Sequence, residues 1–567
     1  TCGICSECYQ CVEACIAGAI DHTMKETIEI VDVGAVIIAP GFTSFDPSPY
    51  RQYNYASHPN VVTSLEFERI LSASGPCQGH LVRPSDGKEP ERVAWLQCVG
   101  SRDTTCGNGY CSSVCCMYAV KQTVIAKEHS EKELDAAIFY MDMRTFGKDF
   151  DRYYMRAKDE HGVRFIRSRV HTVEEDEYNN LKLRYVGDAG ETKIETFDMV
   201  VLSTGMTPGT DAVTLARNLG IELNHYNFAK TADLTPVESS RKGIYVCGAF
   251  QSPKDIPQSV MEASAAATAA SRDIFSVRGS LARKKELPPE IDVAGVEPRI
   301  GVFVCNCGIN IGGVADVPAI RDYASTLPFV VHVEDNLFTC SQDTQDKMKQ
   351  VIAEHSINRV VVASCSPRTH EPLFQETIRE AGLNKYLFEM ANIRDQNTWI
   401  HMNDKKGATE KAKDLVRMAV AKASYIVPLH QTQLTVTKSL LVMGGGVAGM
   451  EAALAAAVQG VQVYLVERER ELGGVARHLH GTVQGEKVKP YLETLIQKIF
   501  DHPRIRLFPG SEAVGTSGIL GSFETEIISV NEQAYTTKVK HGATILATGG
   551  HEYKPQEYHY PTHPNVL

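Results

Sequence analysis

The chain has 567 residues, enough for several domains, and its 43% hydrophobic and 22% charged composition is that of ordinary globular protein. A formal net charge of -11 argues against a nucleic-acid binder, which needs a basic face to neutralise phosphates. The most apolar stretch, residues 442–466, contains a glycine loop and is broken by Glu451, Gln459 and Gln462, so no membrane span is expected. Sixteen cysteines clustered at metal-type spacings, with no signal-peptide pattern, point to a reducing cytoplasm rather than a secreted disulfide framework.

The chain opens on Thr1 inside a cysteine motif and reads as a piece whose upstream part is missing. Cys2, Cys5, Cys8, Cys11 and Cys15 include the run C-x2-C-x2-C-x3-C, the ligand spacing of a bacterial ferredoxin, in which three thiolates sit on one cubane and the fourth reaches a neighbouring cluster. The usual Pro after the fourth cysteine is Ile16, and Cys2 adds a fifth thiol, so which four share a cluster stays open. Zinc and disulfides are the competing readings; five thiols at such tight steps suit a cubane better than a tetrahedral site.

Residues 34–41 (GAVIIAPG) and 542–549 (GATILATG) are each followed, after a polar loop, by HPNVV or HPNVL. The same structure is expected twice, at a shift of 508 residues for the first landmark and 505 for the second, so a whole domain stands in tandem. Between the copies, strand, helix and strand are expected at 92–99, 112–128 and 136–141. In this βαβ unit the turn carries Cys98, Cys106, Cys111, Cys115 and Cys116 where a nucleotide-binding glycine loop would stand. Cys111, Cys115 and Cys116 can converge with Cys98 on one cluster; the alternative is that adjacent cysteines are small buried hydrophobes.

A strand at 199–202 returns the chain from this subdomain, and a strand into Gly248, Lys254 and an alanine-rich helix carrying Gln258 close the first unit. Lys254 could stabilise an anionic flavin; otherwise it is a solvated surface cation. The charged, Pro-containing segment 283–298 is a linker. Strands at 301–304 and 359–363 and the loop at Cys340 deliver Cys305, Cys307, Cys340 and Cys365 to one sheet edge. That arrangement suits a further cluster, with thiol packing or a redox-active dithiol at Cys305 and Cys307 as the competitor. Arg368, His370 and the segment 391–396 are polar loop groups that could serve an interface.

The strand 439–443, the loop Gly444, Gly446 and Gly449, a helix at 450–458 and a strand ending on Glu467 make the dinucleotide fingerprint in its proper context. Glu467 is placed to hold a ribose hydroxyl. Gly473 and Gly474, with the later turn at Gly549, favour FAD over NAD, and Gly41 occupies the equivalent of Gly549 in the first copy.

Taken together, CVEACIAGAID (11–21), VRPSDGKEPERVAWLQCVGSRD (82–103), PKDIPQSV (253–260), VFVCNCGINIGGVADV (302–317) and ASCSPRTHEPLF (363–374) resemble the A-type subunit of heterodisulfide reductase. This is the FAD and iron–sulfur protein of methanogens and of related complexes in anaerobic bacteria. The resemblance implies an α/β fold of thioredoxin-reductase-like dinucleotide-binding (Rossmann-type) domains with a ferredoxin-like insertion and an additional α/β domain. It implies [4Fe-4S] clusters and FAD, two per complete chain, with Cys98, Cys111, Cys115 and Cys116 holding an atypical cluster beside the flavin and Cys106 outside it. It also implies flavin-based electron bifurcation or confurcation. The second unit departs from the pattern, with no cysteine between Glu467 and Gly549, and so lacks the inserted ferredoxin.

The expected domains are 1–28 (ferredoxin-like segment), 29–282 (FAD-domain remainder, with its cluster-bearing subdomain at about 91–205), 299–430 (α/β domain) and 431–567 (FAD-binding part of the second unit). Expected partners are other heterodisulfide-reductase-like subunits and an electron-input protein of hydrogenase, formate dehydrogenase or ferredoxin type, in a large complex compatible with a dimer. A nicotinamide-dependent disulfide oxidoreductase and a non-catalytic electron wire or scaffold are the alternatives.

Overall fold

The computed structural model describes residues 8–15, 19–72, 75–530, 535–560 and 562–566. It divides into two compact units, Thr1–Arg278 with Val436–Leu567, and Gly279–Thr435.

In the first unit, β1 (Val36–Ile38) is followed by β2 (Val61–Thr63) and α1 (Ser64–Leu71). Thr63 caps α1 reciprocally: its hydroxyl accepts the Glu66 N–H while the Glu66 carboxylate accepts the Thr63 N–H at 2.7 Å. Then come β3 (Arg92–Val99), α2 (Cys115–His129), β4 (Asp135–Phe139), α3 (Phe150–Asp159), β5 (Arg164–Ile166) and β6 (Met199–Thr204). They build a five-stranded, all-parallel sheet in the order β2-β6-β3-β4-β5.

Its strands are apolar on both sides because both faces are covered. Val93 and Trp95 of β3 pack with Phe67 of α1 on one face, while Ala94 and Leu96 meet Phe139 and Phe197 on the other. A three-stranded antiparallel sheet (Val173–Glu175, Leu181–Val186, Thr192–Phe197) supplies Phe197. β7 (Ile244–Val246) pairs in parallel with β1 and leads into α4 (Ile256–Ile274), which Asp255 caps by accepting the Gln258 N–H.

The second unit is a four-stranded parallel sheet. β8 (Ile300–Cys305), β9 (Val330–Asn336), β10 (Arg359–Ser364) and β11 (Phe388–Asn392) lie in the order β9-β8-β10-β11, and α5 (Lys405–Tyr425) covers one face with Ala412, Val416 and Ala419.

The chain then completes the first unit with β12 (Ser439–Met443), α6 (Val447–Val458), β13 (Gln462–Glu467), α7 (Val488–Asp501), β14 (Ile505–Pro509) and β15 (Ala543–Leu546), in the parallel order β14-β13-β12-β15. A three-stranded antiparallel sheet (Ser511–Ile519, Ser522–Ser529, Thr536–His541) is inserted before β15. This last stretch forms one compact unit with the residues up to Arg278, and the Glu486 carboxylate accepts the Asp233 N–H at 2.8 Å.

Candidate active site: four thiols behind the wall of an apolar cavity

Cys98, the penultimate residue of β3, is buried and in the left-handed region at φ 63°. Before α2 begins, Gly100 (68°), Arg102 (55°), Gly107 (79°) and Ser113 (63°) follow it there. Three of these five carry side chains that disfavour the conformation, so the loop stores strain of the kind found where backbone N–H groups are turned toward an anion. Tertiary bonds over-determine it: the Ser101 hydroxyl accepts the Ser112 N–H at 2.9 Å, and the Ser112 hydroxyl accepts the Met206 N–H at 2.9 Å.

Cys115 and Cys116 form the first turn of α2 and are buried. Burial pushes the Cys98 thiol up to about 11, with Cys116 and Cys111 adding to it. Cys115 is raised by burial, with the neighbouring thiols adding to it against the lowering effect of a hydrogen bond with Tyr118; Cys116 is raised by burial and by Cys111, against the lowering effect of the Arg144 backbone N–H. Cys98, Cys111, Cys115 and Cys116 thus lie in one another's field. Their common ionisation would need a cation among them, which is the chemistry of a thiolate-bound metal. Among the described residues, no three His, Cys, Asp or Glu side chains are placed in ligand geometry. Cys106 stands apart, its thiol donating to the Asp103 carbonyl at 3.3 Å.

The start of α2 also borders a cavity of about 1150 Å3. Ser113, Val114, Met117, Tyr118 and Lys121 of the α2 region form one wall, Phe150, Tyr153, Met155 and Arg156 of α3 another, and Phe42, Met206, Lys254, Asp255, Ile256 and Pro257 the third. A space this large, apolar over most of its area and bordered by charged side chains that also include Lys148, Arg152, Asp159 and Glu160, is big enough for a planar aromatic cofactor. Tyr118 ties the wall to the sheet by donating to the Thr204 carbonyl at 2.8 Å. Lys121 pairs with Glu68, which also accepts from Gln122 at 3.2 Å. Neither Lys121 nor the α3 residues stand in a motif. The helical spacing of Val114, Met117, Tyr118 and Lys121 is the signal that could have found the first.

Lys254 is no solvated cation: it is 5% exposed. Its Nζ lies 2.6 Å from Glu262 Oε1, 2.7 Å from Glu262 Oε2 and 2.6 Å from Gln251 Oε1. Burial holds its pKa below the usual lysine range, against the raising effect of Glu262. Gln258 is exposed. Gly41 (φ 77°) ends β1's loop beside Phe42, and Gly248 (φ 73°) donates its N–H to Glu262 at 3.0 Å.

The glycines after β12 differ in what they do. A Cβ on Gly449 would stand 1.8 Å from the Gly444 carbonyl oxygen, and one on Gly444 (φ 109°) 2.2 Å from that of Ala547, so both serve close packing. A Cβ on Gly446 would meet nothing within 4 Å. That open space at the N-terminus of α6 is where a pyrophosphate fits. Glu467, at the end of β13, accepts the Gly445 N–H, and Gly473 (φ 115°) donates to the Gly445 carbonyl at 2.8 Å. A Cβ on Gly474 (φ 50°) would stand 3.4 Å from Gly446 Cα, and one on Gly549 (φ 70°) would meet nothing within 4 Å.

In the second unit Cys305 and Cys365 are buried at the ends of β8 and β10, with Cys307 (φ 44°) and Cys340 beside them. Burial raises the Cys340 thiol, and Cys365 and Cys307 add to it. At the N-terminal end, Cys2 and Cys5 lie outside the described residues. Cys8 and Cys11 are exposed, Cys11 lies 3.3 Å from His22 Nε2, and Cys15 accepts the Ala19 N–H at 3.3 Å.

The pyridine nucleotide-disulphide oxidoreductase model matches residues 14–269 and the FAD dependent oxidoreductase model residues 439–533, so both parts of the first unit are oxidoreductase domains. The chain is 40% identical over 305 residues to the A-type subunit of the H(2):CoB-CoM heterodisulfide,ferredoxin reductase of Methanothermobacter marburgensis, covering 53% of this chain and 45% of that one. It is 46% identical over 236 residues to a protein of Archaeoglobus profundus that is itself like the A-type subunit of heterodisulfide reductase, covering 41% and 34%. It is 43% identical over 272 residues to the A-type iron-sulfur subunit of the CoB--CoM heterodisulfide reductase of Methanocaldococcus jannaschii, covering 47% and 41%. The chain spans less than half the length of these curated relatives. Among the described residues, no helix is long and apolar enough to cross a membrane.

Proposed function

We propose, for a chain that is like the A-type subunits of heterodisulfide reductases over about half its length, that it is the FAD and iron–sulfur electron-transfer component of a heterodisulfide-reductase-like complex in the cytoplasm. The observation that carries the reading is α2, which sets the buried cysteines at its first turn behind the wall of the cavity. Bound there, a flavin accepts electrons in pairs and a cluster carries them singly, the combination that bifurcation or confurcation uses.

The chain's own residues have separable tasks. Phe42, Met117, Tyr118, Phe150 and Tyr153 would give the ring an apolar border. Lys254 supplies a held charge at its edge. Gly446 leaves room for pyrophosphate, and Glu467 is placed for a ribose hydroxyl. Cys98, Cys111, Cys115 and Cys116 would hold the cluster nearest the flavin. Cys305, Cys307, Cys340 and Cys365, and the run Cys5, Cys8, Cys11 and Cys15, would hold others toward partner subunits, with a hydrogenase, formate dehydrogenase or ferredoxin feeding electrons in.

Anaerobic iron and flavin quantification, with visible spectra before and after reduction, tests this. Bound FAD and several irons per chain are expected; a chain that takes up flavin without iron would refute it. That last outcome would favour a nicotinamide-dependent disulfide oxidoreductase, the activity the first family model describes. The cysteine-bearing turn after β3, where such an enzyme needs its glycine loop, speaks against it.

A further inference from the structure

We propose that Glu262 sets the charge felt at the Lys254 end of the cavity by cancelling the lysine's ammonium, and that it thereby holds the potential of a bound flavin down. The inference rests on the reading that this cavity takes the flavin ring. All three ammonium donors of Lys254 are engaged, by both oxygens of Glu262 and by Gln251 Oε1. The lysine is therefore a fixed charge rather than a swinging arm.

Glu262 also accepts the Gly248 N–H at 3.0 Å, so one carboxylate bridges the end of β7 and the cavity wall. It is a positioning residue, one side chain removed from the cavity. Around the pair stand the buried Cys247 and the Asp255 carboxylate, which is already engaged in capping α4.

Flavin reduction of the type considered takes up two electrons and one proton and leaves one negative charge on the cofactor. In a titration dithionite supplies the electrons and water the proton. A lone buried ammonium would favour that negative charge strongly; an ammonium paired at 2.6 Å presents a dipole, whose field is weaker and falls off faster. Removing Glu262 should therefore make the flavin easier to reduce, and removing Lys254 should leave an unpaired carboxylate that makes it harder.

The test is anaerobic potentiometry of the FAD-loaded full chain, read from the flavin's visible absorption. Glu262→Gln should raise the reduction equilibrium constant at least tenfold, about 30 mV for a two-electron couple. Lys254→Met should lower it by at least as much. Glu262→Asp, which keeps the charge, should stay within threefold of the parent. If Glu262→Gln does not fold, Lys254→Gln combined with Glu262→Gln removes both charges and keeps the hydrogen-bonding groups; it should return the potential to within threefold of the parent. An unchanged potential in flavin-loaded Glu262→Gln, a shift in the Lys254→Met direction, or a double variant displaced tenfold would overturn the inference. A parent chain that binds no flavin would instead overturn the reading beneath it.

Discussion

Gly446 and Gly449 belong to one motif, yet replacing each by Ala should fail in different ways. Gly446 is the N-cap of α6 at φ -73°, ψ 179°, extended backbone that any residue adopts, and its new Cβ would meet no atom within 4 Å. Loss of glycine's freedom in the unfolded chain stabilises by about 0.4–1 kcal/mol, and the poorer cap costs a few tenths or more. Folding stability of the flavin-free protein should thus stay within about 0.5 kcal/mol. The methyl nevertheless fills the space a phosphate needs. One or two charge-assisted hydrogen bonds at about 1.5–3 kcal/mol each are lost, so FAD affinity should fall about 100-fold.

Gly449→Ala instead drives a methyl to 1.8 Å from the Gly444 oxygen and 3.3 Å from Ala547 Cβ. Such overpacking costs about 1–3 kcal/mol, and the flavin-free melt should drop by several degrees. FAD titration by fluorescence and calorimetry of the flavin-free protein separate the two. Gly446→Ala that binds FAD like the parent, or melts as low as Gly449→Ala, would refute the reasoning.

Cys115→Ser and Cys116→Ser should each remove about one cubane's worth of iron while flavin stays bound, measured by iron and flavin assay; full iron in both variants counts against the site. Cys305→Ser should lose iron without altering the flavin spectrum, since it lies in the other compact unit. His541 is buried, with Nδ1 donating to the Ala543 carbonyl at 3.0 Å and Nε2 facing the Thr525 hydroxyl at 2.8 Å, and burial holds its pKa below the usual value. The unfolded histidine takes a proton more readily than the folded one. Its contribution is therefore complete above about pH 6.5 and lost as pH falls below that. The melting temperature should drop between pH 7 and pH 5, and His541→Gln should blunt the drop. Thr63→Ala should destabilise by about 1 kcal/mol through loss of the reciprocal cap on α1, read as a lower melt.

The parallel sheets were legible because strands buried on both faces read as apolar runs, as at residues 93–96 and 360–363. The glycine fingerprint was legible because phosphate approach demands spacing. Helix starts were less so: periodicity suggests residue 112 for α2, but the left-handed Ser113 delays it to Cys115. The cavity was not legible, since α3 supplies Phe150, Tyr153 and Met155 through tertiary placement and not through any motif. Glu262 was missed for a similar reason. It stands one helical turn beyond Gln258, and only the fold brings it back to Lys254.

The helix α2 carries both Cys115 and Cys116 and the cavity-wall residues Met117, Tyr118 and Lys121, so neither set can be altered alone. A substitution that rotated it by a few degrees to enlarge the cavity at Met117 would pull Cys115 and Cys116 off their positions, and a change in the cysteine loop would tilt Tyr118 and Lys121. Selection acting on either chemistry is therefore transmitted to the other. Compensating changes should be sought in the residues that anchor the helix, such as Gln122 with its bond to the Ser64 carbonyl at 2.9 Å, before they are sought at the cofactors themselves.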